Sequence, residues 1–347
     1  METITTSSIR DPAGSVETSS NSGFRRVLVC LDRSAAAETV LPLAAHLAQV
    51  DGAPMTLLHV IEALPDGPDI HATDAIEWDI VREEARSYLE NLAEGIENLG
   101  IAAESQVAEG SAAQGIAALA AELEADLLVL STCGKGGTGE WTLGGTAEKI
   151  LALARGAVLI VPAGARQSAP RVPLRRILVP LDGSLRGESV LPTVLRLARA
   201  DDAEIIIAHA VPDPIRTEVL STPEDLELAH ELADRLAARA DAYLERMRSQ
   251  LLAGGARARK AVCRATDHRE GLVALAATER VDLVVVSAHG SVCNPKQRFG
   301  SVTSHIIANS TAPVLVIQDL PGARCHEVAE RSSRPPSRSL DECLNSA

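Results

Sequence analysis

The sequence predicts an α/β protein of two tandem domains, each a doubly wound parallel sheet, and three observations carry that expectation. The chain contains itself twice: residues 24–60 and 174–210 align at an offset of 150 without a gap and are identical at 16 of 37 positions. Within each copy, short apolar runs of strand length alternate with segments of helical period. A chain of 347 residues gives each copy about 140 residues, close to the commonest domain size. A repeat unit this long means two copies of one domain and not a solenoid.

The elements of the first copy follow in order. Residues 27–31 form a continuous apolar run, as expected of a strand covered on both faces. Asp32, Arg33 and Ser34 supply turn chemistry, with Ser34 a candidate N-cap for a helix over 36–49. Residues 55–60 read as a second buried strand, and 75–99 as an amphipathic helix. A weak strand pattern at 106–109 precedes a helix at 112–124 and a buried strand at 127–131. After a glycine-rich loop come a helix at 145–155 and a last strand at 157–161. The second copy repeats the pattern: 126–133 (DLLVLSTC) answers 282–289 (DLVVVSAH), and 158–161 (VLIV) answers 314–317 (VLVI). Strands separated by such helices need right-handed crossovers and give a parallel sheet. Each copy is expected to form its own five-stranded sheet, with the last strand free to pair between copies. The domains are placed at 24–163 and 174–319. The Ser/Thr-rich residues 1–22 and the mixed Pro, Ser and Arg residues 321–347 read as disordered tails.

Composition excludes several classes. The 47 acidic against 33 basic residues give a net charge of -14, which repels phosphate backbones and anionic membranes. Aromatic residues make up only 2% of the chain, so stacking platforms for single strands are missing. Nucleic acid and membrane are therefore not expected partners. No apolar run approaches the ~18 residues of a spanning helix, and the N-terminal segment has no signal-peptide pattern. Six scattered cysteines without a Cys-x-x-Cys pair fit a reducing, cytoplasmic compartment.

In doubly wound sheets ligands bind beyond the carboxyl ends of the strands, and three features sit there. The first strand of each copy runs into Asp32 or Asp182. The second ends near His59 and Val60, or His209 and Ala210. The fourth opens a loop: Ser131, Gly134, nine residues, then Gly144 and Gly145 in copy one; Ser287, Gly290, nine residues, then Gly300 and Ser301 in copy two. Glycine lets backbone amides approach an anion, and a following helix start adds free N–H groups.

On these residues the chain resembles the universal stress protein family over 24–163 and 174–319. The resemblance implies an adenine nucleotide alpha hydrolase-like fold in each copy and an adenine-nucleotide-binding, stress-response role. It implies that Asp32 and Asp182 face the base, helped by backbone at Val60 and Ala210. Gly134 and Gly144 in copy one, and Gly290, Gly300 and Ser301 in copy two, would line the phosphates of ATP, with or without magnesium. The chain departs from the family pattern at Ser131 and Ser287, which replace the first loop glycine, and at Gly145, which replaces a Ser or Thr. Copy two keeps three of the four loop positions and copy one keeps two, so the second is the expected binding site. Pairing of family subunits through their last strands implies an intramolecular pseudo-dimer, with further homo-oligomers allowed.

Other readings stay open beside these. The glycine loops also suit plain strand-to-helix turns, where a valine at Gly300 would strain a positive-φ position. Asp32 and Asp182 also suit helix capping, and His59 and His209 structural hydrogen bonds. Lys135, Lys296 and Arg298 either solvate the loops or neutralise phosphate, and Cys133 beside its loop either packs there or, with a stabilised thiolate, is redox-reactive. His289, Cys293 and His305 lack a fourth ligand for zinc. No Walker lysine is present, so catalysis is expected to reach weak ATP hydrolysis at most, and a ligand-free dimerisation module is the alternative function.

Overall fold

The computed structural model describes residues 23–62, 75–132, 145–154, 156–163, 173–213, 222–291 and 299–318. Both tails, most of the join at 164–172, and the loop residues 133–144 and 292–298 lie outside the described residues, and with them Gly134, Gly144, Cys133, Lys135, Cys293, Lys296 and Arg298.

The first copy runs β1 (Val27–Cys30), α1 (Ala35–Glu38), α2 (Leu41–Asp51), β2 (Met55–Ile61), α3 (Ala75–Glu97), β3 (Ala103–Glu109), α4 (Ala112–Glu122), β4 (Leu127–Ser131), α5 (Gly145–Leu153) and β5 (Ala157–Val161). The second repeats it as β6 (Arg176–Pro180), α6 (Leu185–Glu188), α7 (Leu191–Asp201), β7 (Glu204–Pro212), α8 (Pro223–Ala253), β8 (Arg257–Ala265), α9 (His268–Thr278), β9 (Leu283–Ser287), α10 (Ser301–Asn309) and β10 (Val314–Ile317). The single helix expected over 36–49 is two helices. Pro42 has no N–H to give the turn before it, and its ring would meet the Glu38 carbonyl, so the chain breaks at Thr39 and Val40. Pro192 breaks α6 from α7 in the same way. The weak strand pattern at 106–109 is the end of a full seven-residue strand that pairs with β2 along its whole length.

The strand order is β3-β2-β1-β4-β5-β10-β9-β6-β7-β8. Every neighbour pair within a copy is parallel, while β5 and β10 pair antiparallel. This corrects the expectation of two separate five-stranded sheets: the last strands do pair, and that pairing fuses them into one continuous ten-stranded sheet. Leu315 faces Leu159, flanked by Val314–Ile160 and Val316–Val158, so the join has a local pseudo-two-fold axis at the two leucines.

Alternation along each strand sends side chains to two layers. Val27 and Val29 join a core with Leu47, Leu89, Leu197 and Leu244 under α2, α3, α7 and α8, whereas Leu28 joins the opposite core with Ile116, Ile150, Leu272 and Ile306. Each core crosses from one copy to the other. The pseudo-axis also relates two polar clamps between α2 and α7. His46 Nε2 lies 2.6 Å from Asp201 Oδ2, which also accepts from the Leu174 amide at 2.8 Å. Reciprocally, Asp51 receives Arg196 from the second copy and the Phe24 amide at 2.7 Å from the first. Arg196 also stacks 5.3 Å above the Phe24 ring, a cation–π contact.

Candidate functional site

The turn after β6 positions the first functional side chain. Gly183 adopts φ +83, and the equivalent Arg33 in copy one adopts φ +65. The left-handed step turns the chain so that Ser184 can cap α6: its hydroxyl accepts from the Gly187 amide at 3.0 Å. Asp182 backs this cap. Its Oδ1 accepts from the Ser184 amide at 3.0 Å and from the Ser184 hydroxyl at 2.6 Å. Its Oδ2 reaches across the site and accepts from the Ser291 amide at 2.6 Å. Burial alone would raise the Asp182 pKa, but the hydrogen bonds from Ser184 and Ser291 outweigh it and hold the carboxyl below the usual aspartate range. Asp32 in copy one makes the matching pair of bonds to Ser34, at 3.0 and 2.5 Å, and Ser34 caps α1 through the Ala37 amide.

The histidines at the second strands are tied to the first. His209 Nδ1 meets the Leu181 carbonyl at 2.7 Å, and His59 Nδ1 meets Leu31 at 2.8 Å. A carbonyl only accepts, so each ring carries its proton on Nδ1. These bonds fit the structural role expected for both residues.

The loop after β9 is held at both ends. The Ser287 hydroxyl donates to the His289 carbonyl at 2.6 Å, and Thr303 of α10 donates to the Ser287 carbonyl at 2.9 Å. The serine that stands where a glycine was expected therefore braces the loop. Its counterpart Ser131 has a buried hydroxyl with no partner among the described residues. Gly300 caps α10 with φ -63 and ψ 159, so the positive φ expected there is absent and the position accepts any residue. A Cβ at Gly300 would lie 3.8 Å from the Gly290 amide nitrogen, the Ala288 carbonyl and His289 Cα. Those are ordinary van der Waals contacts, so a Cβ fits there among the described residues. Gly290 is different: a Cβ there would collide with Asp182 Oδ2. A side chain there would have to displace the carboxylate from its bonds to Ser184 and Ser291.

A cavity of about 320 Å³ opens between these elements at the carboxyl ends of β6, β7 and β9. Asp182, Ala210, Gly290, Gly300 and Ser301, chosen from the sequence for copy two, all line it. Sequence reasoning missed Gly187 and His268, which also line it. The signal for both was available in the overlay of the copies: Ala37 stands opposite Gly187, and Ala112 opens α4 where His268 opens α9. In copy one Asp32 and Val60 occupy the matching strand ends, while Gly134 and Gly144 lie outside the described residues.

The arrangement offers an apolar floor, one ionised carboxylate and the first amides of α10, which have no intrahelical acceptors. Such a set suits a ligand with a polar apolar-faced ring at one end and an anion at the other.

Known proteins agree with this architecture. The profile of the Universal stress protein family matches residues 23–162 and again 173–318. A universal stress protein of Mycolicibacterium smegmatis is 26% identical over 311 residues, covering 84% of this chain and 96% of that protein. A universal stress protein of Synechocystis is 30% identical over 151 residues, 40% of this chain and 98% of its own length. Among solved structures, a universal stress protein from Archaeoglobus fulgidus superposes with TM-score 0.61 at 19% identity, covering 85% of this chain and 98% of that one. With the family profile met twice and a relative matched along both copies, the chain belongs to the universal stress protein family, as a tandem two-domain member.

Proposed function

We propose that the second domain binds an adenine nucleotide, ATP in the first instance, and that the protein acts in the stress response as a nucleotide-responsive binding module. The observation that carries the reading is the convergence of Asp182, Ala210, Gly290, Gly300 and Ser301 on one cavity. The phosphates would lie against the Gly290 and Ser301 amides at the start of α10, where the helix dipole favours an anion. The space that a Gly300 side chain would fill is the space a phosphate oxygen needs. The base would lie toward Ala210 and Asp182, at the ends of β6 and β7. Among the described residues no group of three metal-binding side chains is present, so magnesium would arrive on the phosphates. In copy one the corresponding candidate site would comprise Asp32 and Val60 with Gly134 and Gly144, the last two outside the described residues. A cytoplasmic place of action goes with an intracellular nucleotide as ligand.

One observation favours the ligand-free dimerisation module as the second reading: both oxygens of the Asp182 carboxylate already hold protein donors. Nucleotide carried through purification separates the two, read by ultraviolet absorbance and mass after denaturation. Adenine nucleotide at near one per chain supports the proposal. Its absence, together with no melting shift in millimolar ATP and magnesium, refutes it.

A further inference from the structure

We infer that Asp182 is a positioning residue that builds the anion-binding loop of the second domain, and that its contribution to nucleotide affinity passes through the phosphates and not through the base. The inference deepens the proposed function and rests on it.

The geometry ties Asp182 to the loop from several sides. Its Oδ2 accepts from the Ser291 amide at 2.6 Å across 109 residues of sequence. The same oxygen lies where the Gly290 Cβ would be, so the loop backbone is drawn as close to the carboxylate as a glycine permits. On the other side, a Cβ at Gly187 would stand 2.7 Å from Oδ1. The carboxylate is thus wedged between two glycine backbones. Ser184 fixes Oδ1 through both its amide and its hydroxyl, which fixes the direction in which Oδ2 points. The consequence falls on Gly290, whose amide nitrogen lies 3.8 Å from where a Gly300 Cβ would stand. Any rotation of Asp182 releases Ser291 and moves the Gly290 amide, the group proposed to meet a phosphate. The backbone and side-chain donors of Ser184 and Ser291 take up the acceptor positions of the carboxylate, about four in all, and leave little for an exocyclic amine.

The full chain and its Asp182→Ala and Asp182→Asn variants would be titrated with magnesium ATP and with adenosine, and amide exchange followed in the ligand-free proteins. Asp182→Ala should expose the Ser291 amide to exchange and weaken ATP about tenfold to a hundredfold, the range for a lost hydrogen bond to a charged group, with less than about a twofold change for adenosine. Asp182→Asn keeps one acceptor oxygen and should recover part of the affinity. If adenosine binds the wild type too weakly to titrate, inorganic tripolyphosphate replaces it and should lose the same factor as ATP. An equal loss for ATP and adenosine overturns the inference, because that is the signature of a base contact. Unchanged ATP affinity overturns it as well. A wild-type chain that binds no ATP refutes the nucleotide reading itself. In that event Ser291 protection that survives Asp182→Ala overturns the positioning role separately.

Discussion

Gly300→Val separates a ligand site from a plain turn, because the structure sets the two effects at different sizes. The backbone at Gly300 has φ -63 and ψ 159, so valine adopts it without strain, and among the described residues its Cβ meets no atom closer than 3.8 Å. Valine is a poorer N-cap than glycine, which costs about 1 kcal/mol, and stiffening the unfolded chain returns about 0.4–1 kcal/mol. The net change is at most about 1 kcal/mol, or roughly 2–4 °C in Tm for a domain of this size. The effect on ligand is larger. A phosphate oxygen accepting from the Gly290 amide sits about 2.8 Å from that nitrogen, inside the space the new side chain fills. In wild type, ATP at a hundred times its Kd adds about 2.7 kcal/mol, roughly 5–10 °C on the same scale. Melting curves with and without magnesium ATP should therefore show a variant that folds normally and ignores ATP. A variant that keeps the wild-type shift refutes the placement of phosphate beside Gly300. One that melts far below wild type without ligand refutes the backbone argument.

Three further outcomes are expected. Asp201→Ala strands two buried donors, His46 Nε2 and the Leu174 amide, at about 1–3 kcal/mol each; a urea midpoint within error of wild type would deny the clamp a role in stability. Burial pushes the Cys30 thiol up to about 12, so at pH 8 roughly one sulfur in ten thousand is thiolate; peptide mapping after iodoacetamide should find Cys30 unmodified in native protein and labelled in urea. The folded-state pKa of Asp182 is lowered, so its contribution is complete above the unfolded value of about 3.9 and is lost as pH falls through the lower folded value. Protection of the Ser291 amide, corrected for intrinsic exchange, should hold from pH 7 to about pH 5 and fall only in acid below the ordinary aspartate range.

The sheet was legible because its strands are buried on both faces and read as unbroken apolar runs, from Val27 in β1 to Leu315 in β10. β3 was nearly missed for the opposite reason: at the edge of the sheet, Glu104 and Gln106 can face solvent, and the apolar signal thins. The helix break at Pro42 was written in the sequence and overlooked, since the apolar period continues through it. The continuous sheet was hidden because period and composition describe each strand, while the pairing of β5 with β10 depends on the docking of two whole domains. The site divides along the same line. Strand ends and glycine spacing identified the residues that line the cavity. The bond between Asp182 and Ser291 joins residues 109 apart in sequence and leaves no local pattern.

The two copies differ both at their join and around the cavity of the second. At the join, the pseudo-axis pairs unlike residues to the same end: His46 with Asp201 on one side, Arg196 with Asp51 on the other, each aspartate also holding a backbone amide just before the first strand of its own copy. Two chemistries meet one mechanical need, and the sheet closes either way. Around the cavity the substitutions change what the site offers. Gly187 for Ala37 lets the helix backbone reach the aspartate, Gly183 for Arg33 removes a left-handed side chain from the turn, and His268 for Ala112 places an imidazole on the cavity wall. At Gly183 glycine suits the left-handed turn, φ +83, whereas at Gly187, inside α6, it costs helix entropy but leaves room for Asp182 Oδ1, 2.7 Å from where a Cβ would stand. The glycines of the second copy are explained by the carboxylate they enclose, and the carboxylate by the loop it holds.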